Sequence, residues 1–179
     1  MLTSELQRME SVLWPNGPRR DVWAIVDGAR DRKVFSFLVN SYLEYSCLYA
    51  GELPPELELA APYLVQLEQD DRYSRQLIED GWGNSWSVFL KCDSRMQVLR
   101  RHLRGLLLVR TQAGRRLAFR YFVPRVLRIY LPSCSSDELR TFYGPVATFW
   151  TENERADGLT DFRLSRKGLE QQAIGLARA

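Results

Sequence analysis

The sequence predicts a single compact domain of mixed α+β (α/β) class, with short strands interleaved with helices and a short C-terminal appendage. Apolar runs of four to six residues bounded by Gly, Pro or charged residues recur along the chain, and between them apolar side chains return at three- and four-residue spacing. Size agrees: 179 residues, 45% hydrophobic and 26% charged, make one ordinary domain, which buries roughly 70% of its unfolded surface without metal or disulfide.

Val22–Val26, closed by Asp27-Gly28, reads as a buried strand and turn. From Asp31 a helix is expected, with Val34, Phe35, Leu38, Tyr42 and Tyr45 on one face and Phe37 outside it. Cys47–Ala50 is a second strand, stopped by Gly51 and Pro54-Pro55, and Pro62–Leu67 a third. Asp70 or Asp71 caps a helix over Tyr73, Leu77 and Ile78, which Gly81 ends in a left-handed conformation. Ser87–Leu90 is the next strand, led in by Trp82 and Trp86, both rings expected to be buried.

Ser94 with Gln97 reads as a capping box opening a helix whose stripe is Met96, Leu99, Leu103 and Leu107. Arg100, Arg101 and Arg104 fall on an adjoining, solvent-facing side. Leu107–Thr111, Gln112–Gly114 and Leu117–Phe122 form a hairpin with Leu117, Phe119 and Tyr121 on one face and Arg120 and Phe122 on the other. Pro124 ends that strand, and Arg125–Tyr130 is extended or a short helix. Ser135 with Glu138 is a second capping box, for a helix that Gly144-Pro145 stops, and Val146–Trp150 is a late strand. Residues 1–150 are therefore expected to form the core and 151–179 a polar extension with a short helix over Ser165–Leu176. Such interleaving allows a parallel or a mixed sheet.

The net charge of +3 is unevenly placed: residues 44–93 carry −7, while residues 94–136 carry ten arginines and no Asp, Glu or Lys. The two blocks neutralise each other or face a partner. Arginine supplies 22 of 25 basic residues and, with Trp and Tyr, is the residue of protein–protein hot spots.

Several function classes fall away. No apolar stretch reaches the ~20 residues that span a bilayer, and Glu5, Arg8 and Glu10 interrupt any apolar signal core, so a cytoplasmic protein is expected, with no membrane partner. Cys47, Cys92 and Cys134 are odd in number and never form a C-x-x-C pair, so buried thiols are expected rather than a disulfide framework or a metal site. His102 is the only histidine, and no nucleophile elbow, phosphate-binding loop or dinucleotide turn accompanies it. No cofactor and no small-molecule substrate are expected. Two alternatives keep specific residues: a nucleic-acid-binding module on the 94–136 arginines, and a small hydrolase or transferase using Asp27, His102 and Cys92 or Cys134, although Asp27 more often caps the turn at Gly28.

Six blocks in order carry a family resemblance: Trp23–Arg30, Cys47–Leu53, Ala61–Val65, Gly81–Trp86, Leu99–Arg104 and Phe119–Leu127. Together, over about residues 22–150, they resemble the domain of unknown function 4123, the adaptor or chaperone family of bacterial type VI secretion. The resemblance implies a cytoplasmic, non-enzymatic chaperone that binds a toxic effector protein and helps load it onto the VgrG spike, with no nucleic acid involved. Partner contacts are expected at Arg100, Arg101, Arg104, Arg120 and Arg125, with Trp86, Tyr121 and Phe122 shaping the site. Family members often carry Asp just before the late Pro-Arg, where this chain has Val123. If that carboxylate pairs with an arginine, Arg120 or Arg125 lacks an internal partner here.

Overall fold

Helix α1 (Thr3–Leu13) buries Leu6, Met9 and Leu13, a three- and four-residue spacing that gives it one apolar face. The computed structural model describes residues 1–15, 17, 19, 21–110 and 114–176. Strand β1 (Val22–Asp27) follows, every residue of it buried, because helices lie over both faces of the sheet and an alternating pattern would put polar groups into apolar layers. Helix α2 (Arg32–Asn40) is capped by Asp31, whose side chain accepts from the Lys33 amide. It stops at Asn40, so Tyr42 and Tyr45 are not on its face as expected. Tyr42 is 91% exposed, and Tyr45 opens β2 (Tyr45–Cys47), two residues before the expected second strand.

Helix α3 (Pro55–Leu59) starts at a proline, where a missing amide costs nothing. It leads to β3 (Pro62–Leu67) and then α4 (Arg72–Gly81), capped by Asp71 through the Ser74 amide. The left-handed residue after α4 is Gly83 (φ 78°), not Gly81. Gly81 meets a different need, since a Cβ there would lie 3.0 Å from Trp86 Cβ. Strand β4 (Ser87–Lys91) leads to α5 (Met96–Gly105), whose cap is Arg95 with no side-chain hydrogen bond. The expected Ser94–Gln97 box does not form. Helix phase is set instead by Met96, Leu99 and Leu103, which α5 buries in the core, and packing outweighs a cap worth ~1 kcal/mol.

The expected hairpin is β5 (Leu108–Arg110) and β6 (Arg116–Ala118), shorter than its sequence suggests; residues 111–113 of its turn lie outside the described residues. Of the two readings of 125–130 the helix is right: α6 spans Pro124–Ser133. Helix α7 (Ser136–Tyr143) has both arms of the Ser135–Glu138 box and ends at Gly144, φ 49°. The late strand is β7 (Thr148–Glu152). The helix expected over 165–176 is not formed. Strands β8 (Gly158–Ser165) and β9 (Gly168–Gly175) make a hairpin on β7 instead, and residue 150, the expected edge of the core, lies inside β7.

All six pairs of the main sheet are antiparallel, in the order β2-β3-β1-β4-β7-β8-β9. Neither the parallel nor the mixed alternative applies. One face carries α1, α2 and α4 over Val22, Ala24, Val26 and Trp150; the other carries α5, α6 and α7 over Trp23, Ile25 and Phe149. The domain is thus mixed α+β, three layers deep. Trp86 and Cys92 are buried, Trp82, Cys47 and Cys134 only half so, and burial raises the pKa of both half-covered thiols. Phe37, expected outside the apolar face, is half-buried against the core of α1, α2 and α4 and sets its ring edge-on to Tyr73.

Close contact requires glycine at Gly28, at Gly144 and at Gly158, where a Cβ would lie 2.5 Å from Ile174 O. A Cβ on Gly28 would lie 2.6 Å from Leu59 O and 2.7 Å from Ala61 O, so only glycine brings its amide within 3.0 Å of Ala61 O. A Cβ on Gly144, besides needing a positive φ, would sit within 2.8 Å of three atoms of the His102 ring. His102 is itself tied through Nε2 to Phe142 O at 2.9 Å, so the lone histidine braces the end of α7.

Gly144→Ala is expected to cost about 2–4 kcal/mol in urea unfolding, from backbone strain and displacement of the His102 ring; a loss below about 0.5 kcal/mol would contradict that packing. The Ser135 amide and hydroxyl reach Glu138 Oε2 at 2.7 and 2.8 Å and hold its carboxyl below the ordinary range. A carboxyl held lower in the folded chain favours folding above its unfolded pKa, and that contribution disappears as pH falls through the folded one. Ser135→Ala should therefore lower the urea midpoint at about pH 7, and the difference from wild type should narrow as pH falls below the ordinary carboxylate range and Glu138 gains its proton.

Candidate functional site

Asp27 ends β1 with no exposed surface. A carboxylate so placed needs compensation, because the charged form loses its hydration. Oδ1 accepts from the Ala29 amide at 3.2 Å, the local turn cap that the sequence suggests. Oδ2 receives Arg120 Nη2 at 2.6 Å, with Arg30 Nε at 3.6 Å. Arg120 therefore has an internal partner despite Val123, contrary to one branch of the expectation. Arg125 is exposed and in no ion pair among the described residues.

Arg120 sits in the loop between β6 and α6, half exposed, with its guanidinium 5.6 Å from the Phe122 ring centroid. Beside it Arg104, on α5, donates from Nε to Leu48 O at 3.0 Å and from Nη2 to Tyr49 O. Burial, with Arg100 nearby, lowers the pKa of Arg104. Burial raises that of the Tyr49 hydroxyl, which Arg120 partly offsets. Two guanidinium groups are thus fixed by the fold before any partner arrives.

Between them lies a groove of about 420 Å³ with Tyr49, Leu57, Leu107, Leu108, Phe119 and Phe122 among its walls. It contains no carboxylate. The β5–β6 hairpin forms one wall: Leu108 and Ala118 pair across the strands and both line this groove. Val109 pairs with Leu117 on the opposite face and lines a second recess of about 350 Å³, beside Phe119, Tyr130 and Phe142. Burial pushes the Tyr130 hydroxyl up to about 12. Leu57 and Leu108 on the groove, and Val109 and Leu117 on the hairpin's other face, remain exposed, apolar surface of the kind that marks an interaction site.

Of the residues expected to meet a partner, Arg104, Arg120 and Phe122 come together in the groove. Arg101 is exposed and Arg100 half-buried, its Nε without a hydrogen bond. Tyr121 is fully buried with its hydroxyl on Leu103 O; Trp86 is buried in the other core layer and lines a polar recess with Arg30 and Lys33. Neither ring shapes the groove. Leu48, Tyr49, Leu57, Leu108 and Phe119 are the residues that sequence reasoning missed. Only Leu108, in the apolar pattern of the hairpin, carried a local signal; the others come together through the fold.

The alternatives fare differently. Asp27 is enclosed by two arginines and His102 by Gly144 and Phe142, so the acid and imidazole of the hydrolase reading are not joined in one site. Among the described residues no His, Cys, Asp and Glu cluster could hold a metal ion, and no helix is long and apolar enough to cross a membrane.

A family model described as a domain of unknown function (DUF4123) matches residues 22–141. No curated protein and no solved structure matches the chain.

Arg120→Ala should cost about 2 kcal/mol in chemical denaturation, since it leaves Asp27 buried beside one distant guanidinium. Arg125→Ala should change stability by less than about 0.5 kcal/mol. Equal effects from the two would show that the Asp27 pair contributes nothing to the fold.

Proposed function

The chain belongs to the DUF4123 family, and from that premise we propose that it works by binding alone, as an effector-specific adaptor of type VI secretion that holds a segment of an effector and helps load it onto the VgrG spike. The observation that carries this reading is the groove between α3, α5 and the β5–β6 hairpin, apolar along its walls and fitted with Arg104 and Arg120. Side chains already held by the fold lose little freedom on binding, so each contact contributes more of its gross energy. Arg120 gives Asp27 only Nη2 among its nitrogens, and its remaining donors suit a carboxylate on the incoming segment.

The arginine-rich block supports this reading over nucleic-acid binding, because several of its members hold protein groups. Arg104 holds two backbone carbonyls, Arg120 a buried carboxylate, and Arg128 donates to Glu152 O at 2.5 Å. Guanidinium groups tied to such separate anchors do not form the continuous row of free cations that binding along a phosphate backbone rewards.

The test uses rim residues that the fold does not need. Leu57 is 50% and Leu108 59% exposed, so Leu57→Glu with Leu108→Glu should alter stability by under about 1 kcal/mol. Co-purification of the effector encoded beside this chain should fall at least tenfold, with the circular dichroism spectrum unchanged. Undiminished capture by the folded double variant would remove the groove as the effector site.

A further inference from the structure

We propose that β9 is a self-association edge, through which two copies of this chain pair antiparallel with Gln171 on the two-fold axis. The main sheet ends in β2, three residues long, on one side and in β9, eight residues long, on the other. Long edge strands are normally blunted by Pro, Lys, a bulge or a covering element. Among the described residues Gly168–Gly175 is covered only at its end, where Arg8 reaches Gly175: its register with β8 is unbroken, it contains neither Pro nor Lys, and residues 170–173 are exposed.

The direction of its free groups follows from the ladder. Gly158 O accepts from Asn153 N, so Gly158 faces β7 and its partner Gly175 faces away from β8. Arg8 Nε donates to that outward Gly175 carbonyl at 2.8 Å. By the two-residue alternation, Leu169, Gln171 and Ala173 also turn their N–H and C=O outward. Two copies meeting there form hydrogen-bonded pairs only between outward residues. Pairing Gln171 with itself places Leu169 opposite Ala173 and Glu170 opposite Gln172. It uses residues 168–174 and leaves Gly175 to Arg8.

The occupant is a second copy because the edge is complementary to itself in charge and register. Its one charged residue, Glu170, lies beside Arg163 of β8 in the same ladder and contributes to the raised pKa of that guanidinium. Arg163 is itself held by Asp161 at 2.7 Å, so each copy brings the single negative charge of Glu170 to the edge, off the two-fold axis. Within the paired residues 168–174 Glu170 faces Gln172 and not the second Glu170, so no like charges, which destabilise when directly opposed, stand opposite each other there. Six main-chain hydrogen bonds form across the axis.

The wild-type chain should show a concentration-dependent monomer–dimer equilibrium in sedimentation velocity. Gln171→Lys and Gln171→Glu, each placing like charges on the axis, should each weaken the dimer at least tenfold, and an equimolar mixture should restore it as a heterodimer. Gln171→Pro, at a position whose amide points away from β8, should give a folded monomer. A wild-type chain that stays monomeric to millimolar concentration overturns the proposal, as does a dimer indifferent to all three substitutions. Dimerisation lost in both charge variants but not regained on mixing would overturn the Gln171-centred register.

Discussion

A carboxylate with no access to water governs how this chain closes. Asp27 ends the central strand β1, and its charge is compatible with that position only because Arg120 arrives from 93 residues away to meet it. The pair fixes the loop between the hairpin and α6. That loop sets Arg120 over the Phe122 ring and places Phe119 between the two recesses. A buried residue at the end of a strand thus helps set the geometry of the groove that Arg120 lines.

Arginine dominates this chain for a related reason. One guanidinium can satisfy a buried acceptor with one nitrogen and still present others outward, whereas a lysine ammonium is a single point of charge. Arg104 and Arg120 both use that property. The −7 and +10 blocks of the sequence therefore do not simply neutralise each other: Arg104 reaches backbone carbonyls in the acidic block, and Arg120 finds its carboxylate outside it, in the first 43 residues.

Much of the fold is legible in the sequence because it is written locally. β1 up to Val26 and β3 apart from Gln66 are apolar runs since both faces are covered, and α7 announces itself by Ser135, Glu138 and Gly144 at its two ends. β8 and β9 are hidden because their chemistry is misleading. Asp161 is buried in β8, satisfied by Trp150 Nε1 and Arg163, and β9 carries the polar Glu170-Gln171-Gln172 of an edge. The groove was half legible. Its arginines stand out by type, but its apolar walls come from three stretches far apart in the chain, and no local period joins Leu57 to Leu108 or Phe119.

The strand order divides the sheet by time of synthesis. β2-β3-β1-β4 comes wholly from residues 22–91 and β7-β8-β9 from residues 148–175. While the ribosome is still extending the chain, the first four strands can zip together with β4 as a naked flank, and two helical layers must wait for Trp150 and Phe149 to fill them. In that interval the free edge of β4 is the side on which a nascent chain can pair with a neighbour, and the arrival of β7 passes that open edge outward along the sheet.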